Sequence, residues 1–123
     1  MLKLLHLDSS QTRRQRFARH FSNRFIVHSA ATVAEADRLV DQHTPHILVS
    51  YCQLPDGHAF DFATTLRETQ QTLVVLVQGA PQIRRKRRAS PGTVDVYSAE
   101  LLSPSMMEGL VWNAVVRRHA PSE

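Results

Sequence analysis

The stretch Ile47-Leu48-Val49-Ser50-Tyr51-Cys52-Gln53-Leu54-Pro55-Asp56-Gly57 changes character part-way along. Ile47, Leu48 and Val49 form a continuous apolar run, the pattern of a strand covered on both faces and therefore central in a parallel sheet. Leu54 to Gly57 is turn chemistry: Pro55 presets φ, Asp56 bonds the local backbone and Gly57 relaxes the exit.

Upstream, Leu2 to Leu7 is an apolar-rich stretch broken by Lys3 and His6, and Asp8, Ser9 and Ser10 follow it as turn and capping residues. From Gln11 to Ser22, Phe17, Ala18 and Phe21 fall at helical spacing among arginines, which gives an amphipathic helix with a basic outer face. Phe25, Ile26 and Val27 supply a second strand. Thr32 and Glu35 have capping-box spacing, so a helix begins there with Val33, Ala36, Leu39 and Val40 inward, and Pro45 limits it. Downstream, Ala59, Phe60, Ala63 and Leu66 mark a third helix, and Leu73 to Val77 a fourth strand. A short polar helix over Gln82 to Ala89 stops at Pro91-Gly92, and Val94 to Tyr97 makes the fifth strand. Ser103 and Pro104 are an N-cap and first-turn pair opening a last helix to about Arg118.

Strands alternating with helices are joined by right-handed crossovers into a parallel sheet. The expected architecture is α/β: a parallel sheet of five strands with five helices on both faces. A length of 123 residues fits one domain, placed at 1–120, with 121–123 as a tail or the start of a linker. No apolar run is long enough to span a bilayer and no signal-peptide layout opens the chain, so a cytoplasmic protein is expected. The single cysteine, Cys52, excludes an intrachain disulfide and a CxxC metal site, and no pair among the seven histidines has convincing ligand spacing. No metal or cofactor is expected. The net charge of +4 and a pI near 10.0 favour an acidic partner or nucleic acid.

Leu4-Leu5-His6-Leu7-Asp8-Ser9-Ser10, the Ile47 to Gly57 stretch and Gly92-Thr93-Val94-Asp95 resemble three landmarks of the response-regulator receiver family. With the element order, the resemblance covers nearly the whole chain, and it implies a flavodoxin-like sheet with strand order 2-1-3-4-5. It implies an aspartate that accepts a phosphoryl group after the third strand, an acidic pair holding Mg²⁺ after the first, and a Ser or Thr and a Lys that bind the phosphate. The matching positions here hold other groups. Counting back three from Leu54 puts Tyr51 at the acceptor position, and a phenol cannot form an acyl phosphate. The acidic pair is Asp8 followed by Ser9, the hydroxyl position holds Gln78, and the lysine position holds Ala99 or, one residue earlier, Ser98. The aromatic switch position falls on Val96, with Tyr97 beside it. Phosphoryl transfer rests on positioning and charge neutralisation, so these changes imply a degenerate pseudo-receiver without enzymatic activity.

Simpler roles are expected for single residues: Asp8 as a cap, Tyr51 as a filler of the vacated pocket bonding a neighbour, Cys52 as a buried inert thiol, and Asp56 as a turn residue. Two features ask for more. Arg84, Arg85, Lys86, Arg87 and Arg88 repel one another on one short helix unless something compensates. On the last helix, Met107, Leu110, Val111 and Ala114 share the inner face, leaving Trp112 and Val116 directed away from it. By the resemblance, the fourth helix, fifth strand and fifth helix form a docking or dimerisation face, on or near which both features would lie. The function expected is therefore a phosphorylation-independent signalling domain in two-component-like or transcriptional regulation, acting through a protein partner or homodimer. The alternative is a nucleic-acid or cyclic-dinucleotide module using residues 84–88, and no membrane is involved.

Overall fold

The computed structural model describes residues 1–69, 74–79 and 94–119. The expected helix at 82–89, with Arg84, Arg85, Lys86, Arg87 and Arg88, and the expected tail at 121–123 lie outside them. The described chain runs β1 (Lys3–Leu7), α1 (Gln11–Phe21), β2 (Ile26–Ala30), α2 (Val33–Gln42), β3 (Ile47–Tyr51), β4 (Gln53–Leu54), β5 (Gly57–His58), α3 (Ala59–Thr69), β6 (Val74–Gln78), β7 (Val96–Ser98) and α4 (Pro104–His119). Four helices rather than five thus stand among the described residues.

The five-stranded sheet has the order β2-β1-β3-β6-β7, with every pairing parallel. Counted by sheet strands alone this is the expected 2-1-3-4-5 order, because β4 and β5 form a separate antiparallel pair. That small hairpin was not expected; it is what the Pro55-Asp56 turn builds once Gln53 faces His58. β2 runs through His28 and Ser29 instead of starting at Phe25, as an edge strand half-open to water tolerates. The Phe25 amide donates to the Phe21 carbonyl, so that residue belongs to the exit of α1 and turns its ring inward. No described helix is long and apolar enough to cross a membrane.

Two apolar layers cover the sheet. Leu5, Leu7, Leu48, Val75 and Val77 meet α2 and α3 through residues such as Ala36, Phe60, Ala63 and Leu66. Leu4, Ile47, Val49, Val74 and Leu76 meet α1 and α4 through Phe17, Phe21, Met107, Val111 and Ala114. Burial on both faces explains why β3 and β6 read as unbroken apolar runs.

The α1 layer is organised around rings. His6 stacks on Phe17 at 3.7 Å between centroids, Phe17 on Phe21 at 4.0 Å, Phe21 meets Phe25 at 5.5 Å, and Phe25 meets Trp112 of α4 at 5.0 Å. Glu108 fastens the outer end, accepting from Arg24 at 2.8 Å and from the Trp112 indole at 3.3 Å and pairing with His20 at 2.7 Å. On the far side of α4, Asp95 pairs with Arg67 of α3 and with Arg118 at 2.6 Å, while accepting the Val75 amide at 2.8 Å.

His6 is 1% exposed, and burial pushes its pKa down to about 4; Asp8 raises it, while Arg14 and Arg13 lower it. An unfolded histidine titrates near ~6.5, so between the two values the unfolded chain holds more protons and stability rises with pH. Denaturant unfolding should show a loss of roughly 3 kcal/mol from this group as pH falls from neutrality through the folded pKa. His6→Phe should flatten that part of the profile, and an identical slope in the variant would contradict the assignment.

Candidate functional site

The carboxyl ends of the sheet strands collect the positions that the sequence singles out, as expected for an open parallel sheet. Register aligns them: Leu7 lies beside Ser50, Tyr51 beside Gln78, and Gln78 beside Ser98. Asp8 follows β1, so Asp8, Tyr51, Gln78 and Ser98 stand along one edge, with Ala99 half-buried just beyond.

Asp8 is fully buried, and both of its carboxylate oxygens are occupied. Oδ2 accepts from Arg13 Nε at 2.7 Å, and Oδ1 accepts from Arg13 Nη2 at 2.9 Å and from the Ser10 amide at 2.9 Å. The Asp8 carbonyl takes a further bond from Arg14 at 2.8 Å. The helix cap is Ser10, whose Oγ accepts the Arg13 amide, so Asp8 is a turn and ion-pair residue instead of the expected cap. Such a two-pronged pair is the strong form of an Arg–carboxylate contact, and the Asp8 bond raises the Arg13 pKa further.

Tyr51 fills space at the acceptor position by its ring, and its hydroxyl makes no hydrogen bond to another of the described residues. The Arg13 guanidinium lies 4.6 Å from the centre of its ring. On another side Gly79, at φ +98°, approaches so closely that a Cβ there would stand 2.4 Å from Tyr51 Cε1. A glycine is required here both by the backbone and by the tyrosine. Asp8, Arg13, Tyr51 and Gly79 therefore make a continuous stack.

The other positions are likewise committed to structure. Gln78 is buried; its Oε1 accepts the Leu102 amide at 2.8 Å and its carbonyl accepts the Cys52 amide at 2.8 Å, which ties the approach to α4 onto the sheet. Ser98 bonds within its own turn, to Glu100, and its carbonyl accepts the Gly79 amide at 2.9 Å. Ser9 is exposed. Cys52 is fully buried, and burial raises its thiol pKa to about 11, so it stays protonated and inert as expected. No group of three or more His, Cys, Asp or Glu side chains among the described residues is placed to hold a metal.

Two assignments change. Trp112 was expected on or near the docking face by β7, but its half-buried ring packs toward α1 on Phe25. Val116 is exposed, on the same outward stripe of α4 as Met106, Gly109 and Asn113. Val96 and Tyr97 are half-buried on opposite faces of β7, Tyr97 against Phe60 at 5.7 Å. Asp56 does more than shape its turn: its carboxylate accepts the Val33 and Ala34 amides at 2.8 and 3.1 Å and caps α2, which lowers its pKa. Thr32 takes the Glu35 amide as the capping spacing requires, and Asp56 supplies the rest across 23 residues of sequence.

No protein-family model matches the sequence, and no curated protein matches it either. Solved structures do. The signal receiver domain of an HD domain-containing protein from Pseudomonas fluorescens Pf-5 superposes with a TM-score of 0.84 at 16% identity, covering 98% of this chain and 98% of that one. The fold is that of a receiver domain. A response regulator receiver domain protein from Clostridium thermocellum gives 0.82 at 15% identity over 96% of this chain and 97% of that one. A chemotaxis response regulator of Vibrio cholerae gives 0.79 at 18% identity over 93% and 98% respectively. Within this receiver fold, the Tyr51 position is flanked by the Arg13 guanidinium and by Gly79.

The two glycines Gly79 and Gly109 offer a matched test of that closure. Gly79→Ala should cost about 2 kcal/mol or more, from the positive φ and the collision with Tyr51. Gly109→Ala, in a helix where a Cβ meets nothing within 4 Å, should gain about 0.5–1 kcal/mol. Urea unfolding of both variants checks the contrast; equal effects would mean that Tyr51 does not sit on Gly79.

Proposed function

We propose that the chain is a pseudo-receiver: a non-enzymatic signalling domain of the response-regulator type that acts by docking a protein, without being phosphorylated. The observation that carries this reading is the Asp8–Arg13–Tyr51 stack. A phosphoacceptor needs a free carboxylate beside a metal-bound phosphoryl donor. Here the acceptor position carries a phenol, and the one carboxylate nearby is saturated by a guanidinium. A divalent cation would have to displace Arg13 from a two-pronged pair with the buried Asp8 carboxylate.

Docking is placed on the face formed by β7 and α4. Support comes from the outward stripe of α4, where Met106 is 58% and Val116 63% exposed with Gly109 between them, and from Leu101, 52% exposed in the loop after β7. A solvent-facing apolar stripe with a small residue at its middle suits close approach of another surface. The net charge of +4 favours an acidic partner, although a second copy of the chain would use the same stripe.

Acetyl phosphate with Mg²⁺ tests the reading by intact mass and by mass in solution. The expected result is no gain of a phosphoryl group, and an association state that Val116→Glu alters but the phosphodonor does not. A stoichiometric phosphoryl adduct would overturn it.

A further inference from the structure

α1 carries five basic side chains, Arg13, Arg14, Arg16, Arg19 and His20, and no acidic one. Most are spoken for within the protein. Arg13 and Arg14 bind Asp8, and His20, with Arg24 beyond the helix, binds Glu108. Arg16 and Arg19 have no ion pair or hydrogen bond from their side chains to any described residue, and both point into the groove between α1 and the start of α4.

That groove, about 540 Å³ and open to water, also takes in Asn23, Pro104, Ser105 and the Glu108 carboxylate, which is paired with His20 and Arg24. It adjoins a second, more enclosed pocket of about 160 Å³ on the sheet side, and Arg16 and Pro104 border both. The inner pocket has apolar and aromatic walls in His6, Phe17, Leu101, Leu102 and Met107, and a polar end where Gln78 and the paired Asp8 and Arg13 border it. Its histidine is unusual. The His6 ring is buried, stacked flat on Phe17, and its Nδ1 has no hydrogen-bond partner. Buried polar nitrogens without a partner are rare, because each forgoes the bond that water would have made. Burial lowers the His6 pKa to about 4, so the ring is uncharged at neutral pH, and Phe17, stacked between His6 and Phe21, offers the pocket its ring edge.

We infer that pocket and groove form one site for a small aromatic anion, its ring inserted against Phe17, His6 and Met107 and its anionic group held by Arg16 and Arg19. The volume suits a single ring or a purine, not a polymer. Arginine forks match carboxylate and phosphate alike, so an aromatic carboxylic acid and a nucleoside monophosphate share the required chemistry. The site adjoins the Tyr51 stack, sharing Asp8 and Arg13 with it while Tyr51 and Gly79 line neither cavity, and it stands whether or not the chain docks a protein.

Amide chemical-shift titration of the 123-residue chain tests this, with benzoate in one arm and adenosine 5′-monophosphate in the other. The expected result is saturable shifts in at least one arm, centred on His6, Phe17, Leu102 and Met107. Benzyl alcohol, adenosine and inorganic phosphate, each lacking one half of the ligand, should bind more weakly. Arg16→Gln should weaken binding about tenfold, the loss of one charge-assisted bond. Leu101→Glu, which places a carboxylate at the pocket mouth, should act in the same direction. Both substitutions lie on exposed side chains, so the melting temperature should hold. Saturation by only one arm assigns the anion to that source. No saturable shift in either arm at millimolar ligand would overturn the inference, as would shifts spread over all basic residues and indifferent to Arg16→Gln.

Discussion

A buried carboxylate must be neutralised, and Asp8 is neutralised by Arg13. Most of what distinguishes this molecule follows from that pair. Asp8 sits fully buried at the end of a central strand, where an unpaired charge is costly, and the guanidinium reaches it from one turn into α1. In doing so Arg13 sets its guanidinium over the Tyr51 ring, which in turn lies on Gly79. One ion pair thus closes an edge that the topology of an open parallel sheet would otherwise leave as a crevice.

The same pair fixes where α1 lies. With Arg13 and Arg14 anchored on Asp8, Phe17 and Phe21 fall on the sheet in line with His6, and the run of rings continues through Phe25 to Trp112. Glu108 then locks α4 against α1. The remaining cations of α1 are left facing solvent beside an apolar pocket. A sequence that looks merely basic is therefore divided into cations paired within the fold, Arg13, Arg14 and Arg24, and two on α1, Arg16 and Arg19, whose side chains have no partner among the described residues.

The sequence made the element order legible because β3 and β6 are apolar without interruption and the Pro55-Asp56-Gly57 turn acts locally. Tyr51 could be placed at the acceptor register for the same reason, since strand positions are counted from a turn. Its partners could not. Arg13 comes from another helix and Gly79 from another strand, and nothing within either segment encodes the meeting. Asp56 was legible as a turn residue but not as the cap of α2, because the contact spans 23 residues. Trp112 shows the limit of helical periodicity: spacing placed it off the inner face, yet which neighbour covers that flank depends on how α4 leans on α1. The basic block at 84–88 lies outside the described residues, so its role rests on composition alone.

A double-mutant cycle on Asp8→Asn and Arg13→Gln addresses the central claim most directly. If the pair is what closes the site, each single change should destabilise the fold, and the two together should cost less than their sum by about 1–3 kcal/mol, a figure set below that of a fully buried pair because Arg13 is partly exposed. Strictly additive effects would mean that Asp8 and Arg13 do not depend on each other, and that the edge is held shut by something else.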